Sequence, residues 1–169
     1  RIVKRYTGKF VDAKLREDFN IKGAKPKDVE AFTTKSMMKD FYIQANVPVA
    51  RYHHCTSFEE DMKFIELVGY PVIVKPNVGV GAAATYKINC EQDLRNFYNE
   101  GFYVPYIMEE FITGNITSLD GICDADSNII FADNAVFPPS IMDIVNKNLE
   151  VSYYINKEVP KDIFDIGQR

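Results

Sequence analysis

The sequence predicts an α+β (α/β) domain on three observations. Stretches with apolar residues at helical spacing alternate with short β-branched runs through the first hundred residues. A run of strand-like segments follows from Tyr106 to Phe137. No internal repeat or low-complexity segment is present. Helix, strand, helix, strand, glycine turn, strand, helix and then a β-rich run fits neither a pure bundle nor a barrel.

Residues 1–32 are charged and weakly patterned, with Lys14, Arg16, Glu17 and Asp18 leading into Ile21-Lys22-Gly23. They read as a connector behind an upstream unit. A helix is expected from Thr33. Met37, Met38, Phe41 and Ala45 fall on one face, and Asn46 with Pro48 ends it. The methionine pair reads as core filler. Lys35 and Lys39 share the other face four residues apart, the usual mark of a solvated side. Val47 to Tyr52 reads as a strand. Ser57-Phe58-Glu59-Glu60 reads as a capping box. The helix it opens turns Phe58, Met62 and Ile65 inward and stops near Gly69.

Val72-Ile73-Val74 is a β-branched run suited to a strand covered on both faces. It delivers Lys75, a charge costly to bury unless an anion meets it. Pro76 stops the strand, and Gly79 and Gly81 allow the backbone to approach a ligand closely. Thr85 to Ile88 returns as a strand, and Asn89 is expected to cap a helix carrying Leu94, Phe97 and Tyr98, with Gly101 beyond its end. Strands are expected over Tyr106 to Ile112, Ile116 to Cys123 and Ile129 to Phe137. Asp124 to Asn128 resembles the start of a calcium loop. Ile129 stands where glycine is needed and Ala135 where glutamate is needed, so it reads as a polar hairpin turn. Pro138-Pro139 breaks the sheet, Leu149 to Ile155 is a further strand, and Pro160 lies in the first turn of a final helix.

Composition narrows the function. The 169 residues suffice for one domain with a real core, and the net charge of −4 gives no electrostatic support for nucleic-acid binding. No apolar run approaches the roughly 20 residues that span a bilayer, so no membrane role is expected. Cys55, Cys90 and Cys123 are odd in number and widely spaced, which argues against a disulfide framework or a zinc site and for a cytoplasmic setting. His53 and His54, beside Cys55, read as structural. The chain begins at Arg1 and stops at Arg169, and reads as a piece of a longer protein.

A cation beside exposed backbone amides is the chemistry of a polyphosphate site. The glycine turn is not a Walker A loop, because no Gly-Lys-Ser/Thr follows. It also lacks the third glycine of the Rossmann fingerprint, a place Ala84 can fill. Taken alone, the same residues also fit a lysine closing a strand, a solvated Lys35, and strand-edge carboxylates at Glu109 and Glu110 that discourage aggregation.

Tyr70-Pro71-Val72-Ile73-Val74-Lys75-Pro76, then Gly79 and Gly81, then Glu109-Glu110-Phe111-Ile112 before Gly114, resembles the ATP-grasp superfamily. The likeness is to the branch with carbamoyl-phosphate synthetase large chain and biotin carboxylase, and runs from about Thr33 to Phe137. It implies the first part of an ATP-grasp core plus a flap subdomain at about residues 76–137, within a partial domain at 33–169. It implies that Lys35 reaches the nucleotide phosphates and that Lys75 contacts the α-phosphate side. The turn from Asn77 to Ala83, with Gly79 and Gly81, would fold over the phosphates. The Glu110 carbonyl and Ile112 amide would read the adenine edge along the hinge Glu109 to Ile112, with Ile73 and Met108 against the ring.

The implied function is an ATP-dependent ligase, active on an unidentified carboxylate through an acylphosphate captured by an amine or similar nucleophile. Lys35 and Lys75 carry the charge role, and no residue is a convincing general base. Three departures matter. Asn115 and Ile116 stand where many members place a ribose-holding carboxylate, Ala82 replaces a small hydroxyl residue, and no segment resembles the magnesium ligands, which are expected outside this chain. Complete activity is therefore not expected of the chain alone. A non-catalytic nucleotide-binding or regulatory module is the second reading, and a structural interaction domain the third.

Overall fold

The computed structural model describes residues 8–79, 84–138, 149–150 and 152–169. Gly81 and Ala82 of the glycine turn lie outside them. Helices α1 (Gly8–Asp18) and α2 (Pro26–Thr33) occupy most of the stretch expected to be a connector. Pro26 suits the first turn of α2, and the Asp28 carboxylate accepts from the Lys25 amide at 2.8 Å. Weak apolar patterning hid both helices, because few of their residues are buried: Ala13 in α1, Val29 and Ala31 in α2.

Thr34 is extended and breaks the chain between α2 and α3 (Lys35–Gln44). Strand β1 is Tyr52–His54, so the strand expected over 47–52 sits further along. Helix α4 (Phe58–Val68) is N-capped as expected, with Ser57 Oγ accepting from the Glu60 amide at 3.2 Å. The Glu60 carboxylate accepts from Lys63 Nζ at 2.6 Å. Strands β2 (Val72–Pro76) and β3 (Tyr86–Ile88) flank the glycine turn. Helix α5 (Glu91–Glu100) is capped at Cys90, one residue past the expected Asn89. Asn89 instead donates its amide to Asp93 at 2.8 Å.

Strand β4 (Tyr106–Glu110) completes an antiparallel four-stranded sheet in the order β1-β4-β2-β3. One face carries the core. Val72, Val74, Tyr106 and Met108 pack with Phe64 and Ile65 of α4 and Leu94 and Phe97 of α5. Phe97, Phe102, Tyr86 and Tyr106 add edge-on and stacked ring contacts.

A second antiparallel sheet, ordered β5-β6-β7, is built from Ile116–Cys123, Ile129–Phe137 and Tyr154–Ile155. Asp124 Oδ1 accepts from the Asp126 and Asn128 amides, each at 2.9 Å, which closes the expected polar turn. Asn134 is buried and ties the strands together. Its Nδ2 donates to the Ser118 carbonyl at 2.7 Å, and its Oδ1 accepts from Asn156 at 2.6 Å. Helix α6 (Lys161–Gly167) follows Pro160. The flap bounds expected at 76–137 straddle both sheets, since the first ends at Glu110 and the second begins at Ile116.

Candidate functional site

Strand alternation sorts the hinge and lysine strands into two faces. Ile73 pairs across from Glu109, and Val74 from Met108. Side chains on adjacent residues of a strand point opposite ways. Ile73 and Lys75 therefore share a face with Ile107 and Glu109, while Met108 is fully buried in the core beneath α4 and α5. Met108 and Ile73, paired at the sequence level as two contacts to one ring, lie on opposite faces. The second apolar residue on the lysine face is Ile107, which is fully buried.

Helix α3 meets this face through its two lysines. Lys35 opens the helix and donates from Nζ to the Pro76 carbonyl at 2.8 Å and the Gly79 carbonyl at 3.1 Å. Burial holds its pKa below the ordinary lysine value, and the charge of Lys75 adds to that, while Glu109 works against it. A lysine held down in this way gains from an arriving anion.

Glu109 sits between two cations. Its Oε2 is 2.6 Å from Lys75 Nζ, and its Oε1 is 3.1 Å from Lys39 Nζ. That second contact lacks hydrogen-bond alignment, which leaves Oε1 buried without a hydrogen-bond donor. Lys39 also donates to the Ala50 carbonyl at 3.2 Å and lies 5.5 Å from the Tyr52 ring centroid. Tyr52 donates to Asp40 at 2.8 Å, and burial together with that carboxylate pushes its hydroxyl up to about 12.

The root of the glycine turn is braced by Asn77. Its carbonyl accepts from the Lys35 amide at 2.9 Å, and its amide donates to Pro105 at 2.8 Å. Its side-chain Oδ1 accepts from the Ser36 amide at 2.9 Å, and Nδ2 donates to Ser36 Oγ at 3.0 Å. The first amides of α3 are thus met by Asn77 rather than by Thr34, which makes no side-chain cap. Both ends of the Asn77 amide are engaged, so this residue holds the turn in place. Gly79 has a φ of 145°, a backbone region that favours glycine. Nothing lies within 4 Å of a Cβ placed there, so the requirement is conformational.

At the hinge, Glu110 accepts from the Arg51 amide at 2.8 Å and from Arg51 Nε at 2.7 Å, which holds its carboxyl below the usual range. The Phe111 ring lies 4.3 Å from Lys87 Nζ, and Ile112 is 63% exposed. The structure thus brings Lys35, Ile73, Lys75, Asn77, Gly79 and Glu109 to one side of the sheet. It sends Met108 to the other and leaves Glu110, Phe111 and Ile112 at its end.

Sequence reasoning missed Lys39, taken for a solvated residue. Two lysines four apart on one helix face were the available signal, because like charges repel unless an anion lies between them. Lys75, the more exposed of the two cations on Glu109, suits a polyphosphate, which can replace the carboxylate as its counter-ion. Among the described residues no group of three His, Cys, Asp or Glu side chains comes together to hold a metal ion, and no helix is long and apolar enough to cross a membrane.

The family model described as an ATP-grasp domain matches residues 30–151. The chain is 37% identical over 83 residues to D-alanine–D-alanine ligase B of Clostridium perfringens, covering 47% of this chain and 28% of that protein. It is 26% identical over 118 residues to the C-terminal section of the carbamoyl phosphate synthase large chain of Methanocaldococcus jannaschii, covering 67% and 19%. The biotin carboxylase domain of Hydrogenobacter thermophilus 2-oxoglutarate carboxylase, solved with MgADP and bicarbonate, superposes with a TM-score of 0.61 at 16% identity, covering 89% of this chain and 45% of that one. The chain therefore spans less than half the length of each of these relatives. With the matched region covering most of the chain and both motifs within it, the chain belongs to the ATP-grasp family.

Proposed function

We propose that this chain is the ATP-binding part of an ATP-dependent ligase, with the nucleotide lying on the face formed by Ile73, Lys75, Glu109 and the start of α3. The convergence of Lys35 and Lys75 beside Glu109 carries this reading. Among the described residues, Lys35 donates to carbonyl acceptors at the root of the glycine turn, so its charge is available to phosphate oxygens. Lys75 is 25% exposed and can exchange Glu109 for a phosphate. Ile73 and the hinge backbone from Glu110 to Ile112 supply the apolar contact and polar edge that an adenine ring needs.

The reaction proposed for the whole protein is phosphorylation of a carboxylate. A carboxylate oxygen attacks the γ-phosphorus, the bond to ADP breaks, and an acylphosphate forms. An amine or similar nucleophile then attacks the acyl carbon and phosphate leaves. The two lysines position the chain of phosphates and offset charge on the transferred group. The ligase and synthase names of the relatives support this class, and the solved domain with MgADP and bicarbonate supports a nucleotide beside a carboxylate-like substrate. No magnesium-dependent step is assigned to the described residues.

Titration of MgATP by calorimetry tests the reading. Saturable binding is expected, weakened at least about tenfold in Lys75→Ala, as loss of one charge-assisted bond predicts. Equal binding by both proteins would overturn the assignment of Lys75. No binding by the wild type would overturn the reading for this chain. Ile116, standing where a ribose-holding carboxylate is common in the family, favours the second reading of a nucleotide-binding module without catalysis. ATP binding in the whole protein without ADP formation in the presence of candidate carboxylates would select it.

A further inference from the structure

Glu109 divides its carboxylate between two lysines that differ in freedom. Lys75, on Oε2, reaches the solvent side and is 25% exposed. Lys39, on Oε1, is 13% exposed and is also fixed by the Ala50 carbonyl and the Tyr52 ring. Glu109 itself is 10% exposed. A carboxylate this enclosed is costly to leave without a cation. If Lys75 leaves it for a phosphate, Glu109 would face an incoming polyanion with no counter-ion unless another cation stays behind. Lys39 is the cation placed to stay.

We propose that Lys39 is a positioning residue for nucleotide binding: it holds Glu109 paired and in place so that Lys75 is released to a phosphate. This rests on the ATP-binding reading and deepens it, because it says why a carboxylate stands in a polyphosphate site without repelling the ligand. Lys39 does not touch the nucleotide. It acts through Glu109 and sets how firmly Glu109 grips Lys75.

The test compares ATP and adenosine binding in wild type, Lys39→Met, Lys39→Arg and the double variant Lys39→Met/Glu109→Gln. Removing the Lys39 charge should weaken ATP roughly tenfold, since Lys75 is then retained by Glu109, and should leave adenosine unchanged. Lys39→Arg should keep ATP affinity near wild type. The double variant should recover much of the loss, because the carboxylate that retains Lys75 is gone. Parallel losses for ATP and adenosine, or no recovery in the double variant, would overturn the proposal, since a lysine that merely anchors α3 to Ala50 predicts those results.

A second arm needs no nucleotide. Acylation of Lys75 by an amine reagent, followed by mass spectrometry against the exposed Lys157, should slow severalfold in Lys39→Met and quicken in Glu109→Gln. If the wild type bound no ATP, the functional reading would fall, and this arm would still decide the coupling. Unchanged Lys75 reactivity in Lys39→Met would sink it.

Discussion

At the scale of single residues, Asp61 shows how far burial can move a group that sequence patterning leaves unremarked. It lies in the first turn of α4 and is fully buried. Tyr98 donates to its Oδ2 at 2.8 Å, His53 Nε2 stands 3.2 Å from Oδ1, and Cys55 and the Thr56 amide also face it. Burial raises its pKa above the ordinary value, and those four partners act against that rise without cancelling it. A carboxyl whose folded pKa is raised favours the fold below its unfolded value, about 3.9. That contribution disappears as pH rises through the folded value. Wild-type stability should therefore fall relative to Asp61→Asn as pH rises above about 4, with Asn still able to accept from Tyr98. Melting temperature measured against pH in both proteins checks this, and parallel curves would contradict it.

The lysine strand shows the opposite case. Lys75 after Val72-Ile73-Val74 was legible because a cation following a buried run needs an anion. Glu109 was legible only as part of a hinge, since its partners come from β2 and α3, thirty or more positions earlier.

At the scale of elements, patterns with strong local signals were legible: α4 from its Ser57 cap, α5 from Leu94 and Phe97, and the hairpin turn from Asp124. Helices α1 and α2 were not, because their buried residues are few and small. Position along β1 and the cap of α5 were each displaced, as expected where boundaries depend on tertiary pairing. Truncation of the fully buried Leu94 to Ala should cost about 2–5 kcal/mol, measured by denaturant unfolding. Asn77→Ala probes the brace between α3 and the glycine turn. It leaves the Ser36 amide without its acceptor and should cost about 1–3 kcal/mol. An Asn77→Ala protein as stable as wild type would show that the turn is held by its backbone bonds alone.

At the scale of the molecule, one four-stranded sheet divides two tasks. Its helix-covered face supplies the core, and its opposite face gathers Lys35, Lys39, Lys75 and Glu109. The family and the mixed helix-and-sheet class were legible from motif order. Which face each motif residue takes was legible only through strand register, and that is why Met108 and Ile73 separated. The central claim is that nucleotide binds on the lysine face. Hydrogen exchange with and without MgATP tests it most directly. The account predicts slowed exchange at Lys35, Asn77 and Gly79 and along Glu110 to Ile112. Protection confined to the groove between α4 and α5, lined by Phe58, Gln92, Arg95 and Tyr98, would contradict it.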